Sequence, residues 1–283
     1  MSRFSSFHPA VLAVYFVSVL GLAMFCSHPA LHLLALMGGI LFLVMSGKKP
    51  GLGLALLLFL GAALTNPLFS HRGATTLFFF NQNPVTLESI LYGVGLGGML
   101  AAVLFWFQAF HAVMTADKLL FLLGRLSPKL SLLLSSALRF TPLLKGQAVK
   151  MRESRRAMGL EGGLKGTLKT FSALITWSLE NAIDTGAAMK ARGYGLKGRS
   201  HYSLFRFTAA DGAFLAVILL LDAAVLVPQA LGRLNFTYYP TLQGAGLDLW
   251  AAFGLVAFGC LSLLPAIIEG KELLQWNYCR SKI

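Results

Sequence analysis

The chain is poor in charge and poorer still in acid. Only 12% of its 283 residues are charged, with 11 Asp and Glu against 24 Lys and Arg, whereas soluble domains average about 25% charged residues. That scarcity excludes a protein with water on all sides. Cysteine is nearly missing: Cys26, Cys260 and Cys279 have neither disulfide nor metal spacing and read as small apolar residues. His-Glu-x-x-His pairs, paired cysteines and nucleophile elbows are absent. Six histidines are scattered along the chain; His28 and His32 are four apart, but without a third ligand they read as interfacial packing, and His71 stands away from them. No catalytic, metal or cofactor site is expected, and the chain is not expected to be an enzyme.

Apolar length is what the sequence has. Runs of about 17 to 20 apolar residues are long enough to cross a hydrocarbon core about 30 Å thick. Lipid offers no partners to backbone amides, so such runs must be helices. Spans are expected near 10–26, 29–46, 51–69, 89–111, 209–228 and 246–268. The first run has no small-residue cleavage site, and Phe25 before Cys26 does not fit a lipoprotein signal, so it is read as a retained span. The fold expected is an all-α membrane protein with about six transmembrane helices. A four-span region (1–111) precedes an amphipathic helical region (112–208) and a two-span region (209–283).

Cations are concentrated in that middle region. Residues 112–208 hold 16 of the 24 Lys and Arg and five acids, a local charge of about +11. Basic segments stay on the cytoplasmic side. Counting spans outward puts both termini inside, with Arg3, Lys48, Lys49, Lys271, Arg280 and Lys282, and leaves only Arg72 and Arg233 outside. The scattered lysines suit lipid headgroups, and no nucleic-acid recognition motif accompanies the charge.

Between the spans, "CSHPA" around Pro29 and "SGKKPG" with Gly47 and Pro50 mark short hinges. The loop 70–88 carries an apolar "LFFF" and is expected at the membrane interface or against a partner. In the fourth span, Gly93, Gly95 and Gly98 satisfy G-x-G-x-x-G, and Gly93 and Gly97 satisfy G-x-x-x-G. A dinucleotide site needs a preceding strand and a later acid; inside a lipid-length helix, close helix packing is the better reading.

Three helical pieces are expected in the middle region. Ser127 and Pro128 look like the N-cap and first turn of one that Pro142 kinks or ends. The second, 143–158, has Leu144, Ala148, Met151 and Met158 on one stripe and Lys145, Arg152 and Arg156 on a neighbouring cationic ridge. The third, 164–192, has Leu164, Leu168, Phe171, Ile175, Leu179, Ala182 and Met189 on one face and Lys165, Lys169, Thr176, Glu180 and Asp184 on the other. Gly193 ends it as a glycine does at C′. Arg192, in "AAMKARGYGLKGR", then has two open roles: a cap, with Lys190, on the negative helix end, or a knob that docks into a soluble partner through charge-assisted contacts. Gly193, Gly198 and Ser200 have phosphate-loop spacing with Arg199 in place of lysine, but they follow a helix instead of opening one.

Asp222, in "AVILLLDAAVLV", falls near mid-span, where a charged Asp costs about 2.5–3.5 kcal/mol on insertion scales. An ion relay and a packing contact both explain it; a relay needs partners that the sequence does not supply.

The basic helix ends "SRRAMGL" and "MKARGYG", with "FHPA", "NPLFSHRG", "TLESILYG" and "LSLLLSSALRF", resemble the transmembrane T component of energy-coupling factor (ECF) transporters, the family that includes cobalt-transporter CbiQ proteins. The resemblance covers nearly the whole chain. It implies a scaffold in a prokaryotic cell membrane that joins two cytosolic ABC ATPase subunits to a membrane-embedded substrate-binding S component, for uptake of a vitamin or a metal ion. Short Ala-Arg-Gly-like motifs at the ends of coupling helices would seat in the ATPases. Ala191, Arg192 and Gly193 match one motif in full. Ala157 and Gly159 match the other, with Met158 where arginine is expected; Arg155 or Arg156 would then reach the same partner from the preceding turn, and Arg156 is favoured because it lies on the ridge with Lys145 and Arg152. The rival expectation is a self-sufficient ion-coupled secondary transporter that uses Asp222.

Overall fold

Pro9 and Pro29 each open a helix at its first position, and in both cases the preceding histidine is the cap. The computed structural model describes residues 3–70, 73–80, 83–160, 163–196, 205–244 and 248–280. Expectations about His71, Arg72, Gly198, Arg199, Ser200 and Lys282 lie outside the described residues. In helix α1 (Pro9–Phe25), Nδ1 of His8 accepts the Ala10 N–H at 3.2 Å, and in α2 (Pro29–Met45), Nδ1 of His28 accepts that of Ala30 at 3.3 Å. An imidazole nitrogen thus does what a Ser or Asp oxygen does at most N-caps.

Helix α3 (Leu52–Phe69) and α4 (Leu87–Val113) follow, then α5 (Ala116–Leu126), α6 (Pro128–Ala157), α7 (Leu164–Ala191), α8 (Ala209–Ala230) and α9 (Leu249–Arg280). α3, α4, α8 and α9 are long and apolar enough to cross a membrane, and α1 and α2 are apolar helices of 17 residues each, at the short end of the workable range. The all-α membrane fold is borne out. Six apolar helices stand where six spans are expected, and the last continues well beyond residue 268.

Part of the loop 70–88 is paired. Its Thr76–Phe80 (β1) pairs antiparallel with Asn83–Thr86 (β2), and a second small ladder joins Phe236–Thr237 (β3) to Gln243–Gly244 (β4). Four consecutive apolar residues looked like a loop seeking cover because a two-stranded hairpin has no core face to impose alternation. The Ala74 N–H bonds the Pro240 carbonyl at 3.1 Å, linking the two loops.

The chain divides into two compact units, Met1–Ala116 with Phe205–Ile283, and Asp117–Leu204. In the first, α4 packs on α3, α2 and α1, while α9 packs on α2 and α8. Its centre is an aromatic cluster in which Phe4 meets Tyr15, Phe16, Phe42 and Phe214 edge-on. The two polar tips in this core are satisfied: Trp106 Nε1 donates to the Ala35 carbonyl at 2.9 Å and the Tyr15 hydroxyl to that of Leu261 at 3.0 Å. Burying such rings without those bonds would forfeit part of what their area contributes.

Gly93 and Gly97 of α4 lie against α3. A Cβ on Gly97 would stand 2.7 Å from the Phe59 carbonyl oxygen, and one on Gly93 would stand 3.2 Å from the carbonyls of Ala62 and Ala63. The packing reading of G-x-x-x-G is therefore correct. Gly95 makes room instead for the Tyr238 hydroxyl, 2.7 Å from its notional Cβ.

Asp211 joins two helix starts. Its Oδ1 accepts the His8 N–H at 2.8 Å, at the start of α1, while its Oδ2 accepts the N–H and hydroxyl of Thr208 at 2.8 and 2.6 Å in the capping box of α8. One carboxylate faces the positive ends of two helix dipoles. Asp211→Ala is expected to destabilise the protein by about 4 kcal/mol or more, since bonds to a charged group contribute about 1.5–3 kcal/mol each and three are lost together; Asp211→Asn should fall between. Thermal unfolding in detergent reads this, and an unchanged midpoint for Asp211→Ala would refute the staple.

In the second unit α5 meets α6 through the Ser131 hydroxyl, which donates to the Leu120 carbonyl at 3.0 Å. Of the kink or end expected at Pro142, the end does not occur: α6 is one helix of 30 residues with Pro142 inside it. A single proline costs a helix about 3 kcal/mol, and the turns on both sides outweigh that. A helix not foreseen, α5, precedes it. α6 and α7 form an antiparallel pair: Phe140 stacks on Trp177 at 5.8 Å, and further along α6, Ala148 to Arg156 face Gly166 to Leu174 of α7.

Candidate functional site

The two basic helix ends have the same backbone. At the end of α7, Arg192 is the C-cap and Gly193 follows with φ +80°; the Gly193 N–H bonds the Lys190 carbonyl and the Tyr194 N–H that of Met189, both at 3.0 Å. At the end of α6, Met158 is the C-cap and Gly159 has φ +68°; Gly159 N–H bonds Arg156 O at 2.9 Å and Leu160 N–H bonds Arg155 O at 3.1 Å. These are Schellman motifs, whose C′ position sits in the left-handed region where a Cβ is strained. Met158 therefore occupies the same structural position as Arg192. The equivalence is one of backbone, and the side chain differs.

The cap alone does not single these ends out. Gly47 after α2 and Gly232 after α8 make the same pair of bonds, from Gly47 and Lys48 to Val44 and Leu43, and from Gly232 and Arg233 to Gln229 and Pro228. Cations also follow those two glycines, but what distinguishes α6 and α7 is cations within the helix end itself: Arg155 and Arg156 in the last turn of one, and Lys190 in the last turn with Arg192 at the C-cap of the other. Ala157, Met158, Gly159, Ala191 and Arg192 are exposed, Gly193 partly so. Arg155 is half-buried and continues the inner stripe of Leu144, Ala148 and Met151, whereas Lys145, Arg152 and Arg156 lie on the exposed ridge. Met158, placed on the stripe by its spacing, is 65% exposed because the chain leaves the helix there.

Because α6 and α7 are antiparallel, their C-terminal caps lie at opposite ends of the pair. α7 has 28 residues, so at 1.5 Å per residue the caps are about 40 Å apart. No single socket takes both. The apolar face of α7 is also uncovered: Leu164, Leu168, Phe171, Ile175 and Leu179 are between 44% and 84% exposed, and neither helix has a buried residue.

Asp222 is held from α1. Its Oδ2 accepts the Ser18 hydroxyl at 2.5 Å, and its Oδ1, though buried, has no hydrogen-bond partner among the described residues. Sequence reasoning missed Asp211, whose signal was present as Thr208-x-x-Asp211, and Glu88, a buried carboxylate that accepts the Thr75 N–H at 3.2 Å and ties the β1–β2 hairpin to α4.

A nearly all-helical, multi-span membrane protein with two long cationic helices whose capped ends point in opposite directions is the class of protein that this structure defines. Among known families, the one described as "Cobalt transport protein" (CbiQ) matches residues 2–202. The chain belongs to that family. It is similar to the energy-coupling factor transporter transmembrane protein EcfT of Lactobacillus helveticus, 34% identical over 107 residues, 35% of this chain and 39% of that one. EcfT 1 of Listeria monocytogenes is 31% identical over 106 residues, 35% of this chain and 40% of that one. In each case the matched stretch spans about two fifths of the relative's length.

Proposed function

We propose that this chain is the transmembrane T component of an ECF-type ABC importer, a scaffold that passes ATP-driven motion from two cytosolic ABC ATPase subunits to a separate membrane-embedded S component. On this reading the S component binds the solute, a vitamin or a metal ion, and ATP is hydrolysed on the partners. The protein sits in a prokaryotic cell membrane with both termini cytoplasmic. Residues 1–111 and 209–283 are the membrane regions, and 112–208 is the cytoplasmic coupling region.

The observation that carries the reading is the pair of like-built, cation-rimmed caps about 40 Å apart, which suits two separate sockets. Ala191, Arg192 and Gly193 serve one ATPase; Ala157, Gly159, Arg155 and Arg156 serve the other, with Met158 contributing apolar contact. A conformational change needs contacts that differ between two states, and an exposed guanidinium at a rigid helix tip is suited to make and break them. The uncovered apolar face of α7 is assigned to the S component and to lipid.

Arg156→Glu tests the weaker half. It should lower ATPase copurification and uptake about tenfold or more, as expected when an attractive charge contact becomes repulsive. Unaltered assembly and uptake would remove Arg156 from the contact. The rival carrier centred on Asp222 predicts uptake by the purified chain alone under an ion gradient. The coupling reading predicts none without the ATPases and S component.

A further inference from the structure

The inner side of the α6–α7 pair contains a cleft of about 300 Å³ lined by Arg152, Arg155 and Arg156 from α6, by Thr167 and Thr170, and by apolar side chains including Phe171 and Leu174 of α7. Three guanidinium groups at i, i+3 and i+4 repel one another on a helix, and among the described residues none of them is in an ion pair. The threonine hydroxyls donate to their own helix, Thr167 to Gly163 O at 3.2 Å and Thr170 to Gly166 O at 3.0 Å. The side-chain donors left for a guest are therefore the arginines. Guanidinium forks match phosphate oxygens.

We propose that this cleft is a binding site for the phosphate headgroup of an anionic phospholipid. A free phosphate ion explains the cations but not the wall. Ala148, Leu160, Phe171 and Leu174 line the same cleft, with Leu160 and Phe171 52% and 59% exposed, and from Phe171 the uncovered apolar face of α7 runs on to Leu168 and Leu164. An amphiphile satisfies both sides at once: its phosphate offsets the repulsion among the arginines while an acyl chain covers the apolar face. The basic charge of 112–208 favours the anionic cytoplasmic leaflet as its source. The site rests on the proposed cytoplasmic placement of 112–208 and shares Arg155 and Arg156 with the proposed ATPase contact, but its test needs neither ATPase nor S component.

The test uses the full-length chain, purified without partners and reconstituted in nanodiscs of mixed phosphatidylglycerol and phosphatidylcholine, with retained lipid counted by native mass spectrometry. Wild type should retain phosphatidylglycerol preferentially. Arg152→Gln should cut that preference about fivefold, the loss expected for one cation near an anionic headgroup; Arg152→Lys should keep most of it, and Lys145→Gln, on the ridge but outside the cleft, should keep all of it. Circular dichroism confirms that the variants are folded. Equal retention of the two lipids, or an Arg152→Gln protein with wild-type preference, would overturn the site. Displacement of phosphatidylglycerol by millimolar inorganic phosphate would overturn the lipid assignment in favour of a free anion. Arg192 lies outside the cleft, so Arg192→Glu should leave the lipid preference intact, which separates this result from the fate of the ATPase contact.

Discussion

Arg192→Glu should reduce ATP-driven uptake to background while leaving the protein folded in the membrane. Arg192 is exposed, is held at the C-cap by the bond from its N–H to the Ala188 carbonyl at 3.1 Å, and makes no ion pair among the described residues. Removing its charge costs the fold little, since surface substitutions usually change stability by about 0.5 kcal/mol or less. Placing an anion at the negative end of α7 adds a penalty of about 0.3–1 kcal/mol, too small to unfold the protein. At the proposed contact, however, a charge-assisted bond becomes a repulsion, and like charges juxtaposed in an interface cost several kcal/mol. Uptake in whole cells and copurification of the ATPases should fall together. Wild-type uptake by a normally expressed Arg192→Glu protein would take Arg192 out of the mechanism. Arg192→Lys discriminates further, because it keeps the charge and loses the planar fork.

The second large effect is expected at Gly97. Its notional Cβ is 2.7 Å from the Phe59 carbonyl oxygen and 3.2 Å from the Phe59 Cα. Those are backbone atoms, so no rotamer change relieves the clash and α3 must move. Gly97→Ala should cost about 1–3 kcal/mol, as overpacking does, and Gly97→Leu should prevent accumulation of folded protein. Gly98→Ala is the control on the same helix: its nearest contact is Leu36 at 4.0 Å, and there alanine should be neutral or favourable through helix propensity. Thermal stability in detergent separates the two. If Gly97→Ala matches Gly98→Ala, the close approach of α3 and α4 is not what the glycines provide.

Much of this is legible in the amino-acid sequence. Apolar length located all six helices of the membrane fold to within a few residues at most ends. Gly93 and Gly97 announced a helix contact, and Gly193 announced the end of α7, because a glycine at C′ has a local conformational reason to be there. Other features left weaker traces. His8 and His28 cap their helices through Nδ1, a role that Ser or Asp would have advertised. Pro142 signalled a kink or an end, and α6 does not end there. The strand at Thr76–Phe80 was hidden because Leu77, Phe78 and Phe79 are all exposed, at 54%, 54% and 72%, so no alternation marked it as a strand.

Local rules, then, were enough for the elements: how many residues an apolar run needs to cross a bilayer, where a backbone turns left-handed, which segment concentrates the basic charge. Pairing was decided elsewhere. That α6 and α7 run antiparallel, sending Arg192 and Arg156 to opposite ends, that three arginines share a cleft with Phe171, and that Asp211 serves the starts of both α1 and α8 are consequences of contacts between residues far apart in the chain. Periodicity fixes which face of a helix is apolar, but a partner selects the face only when packing and hydrogen bonding are satisfied together, and that selection exists only in the folded molecule.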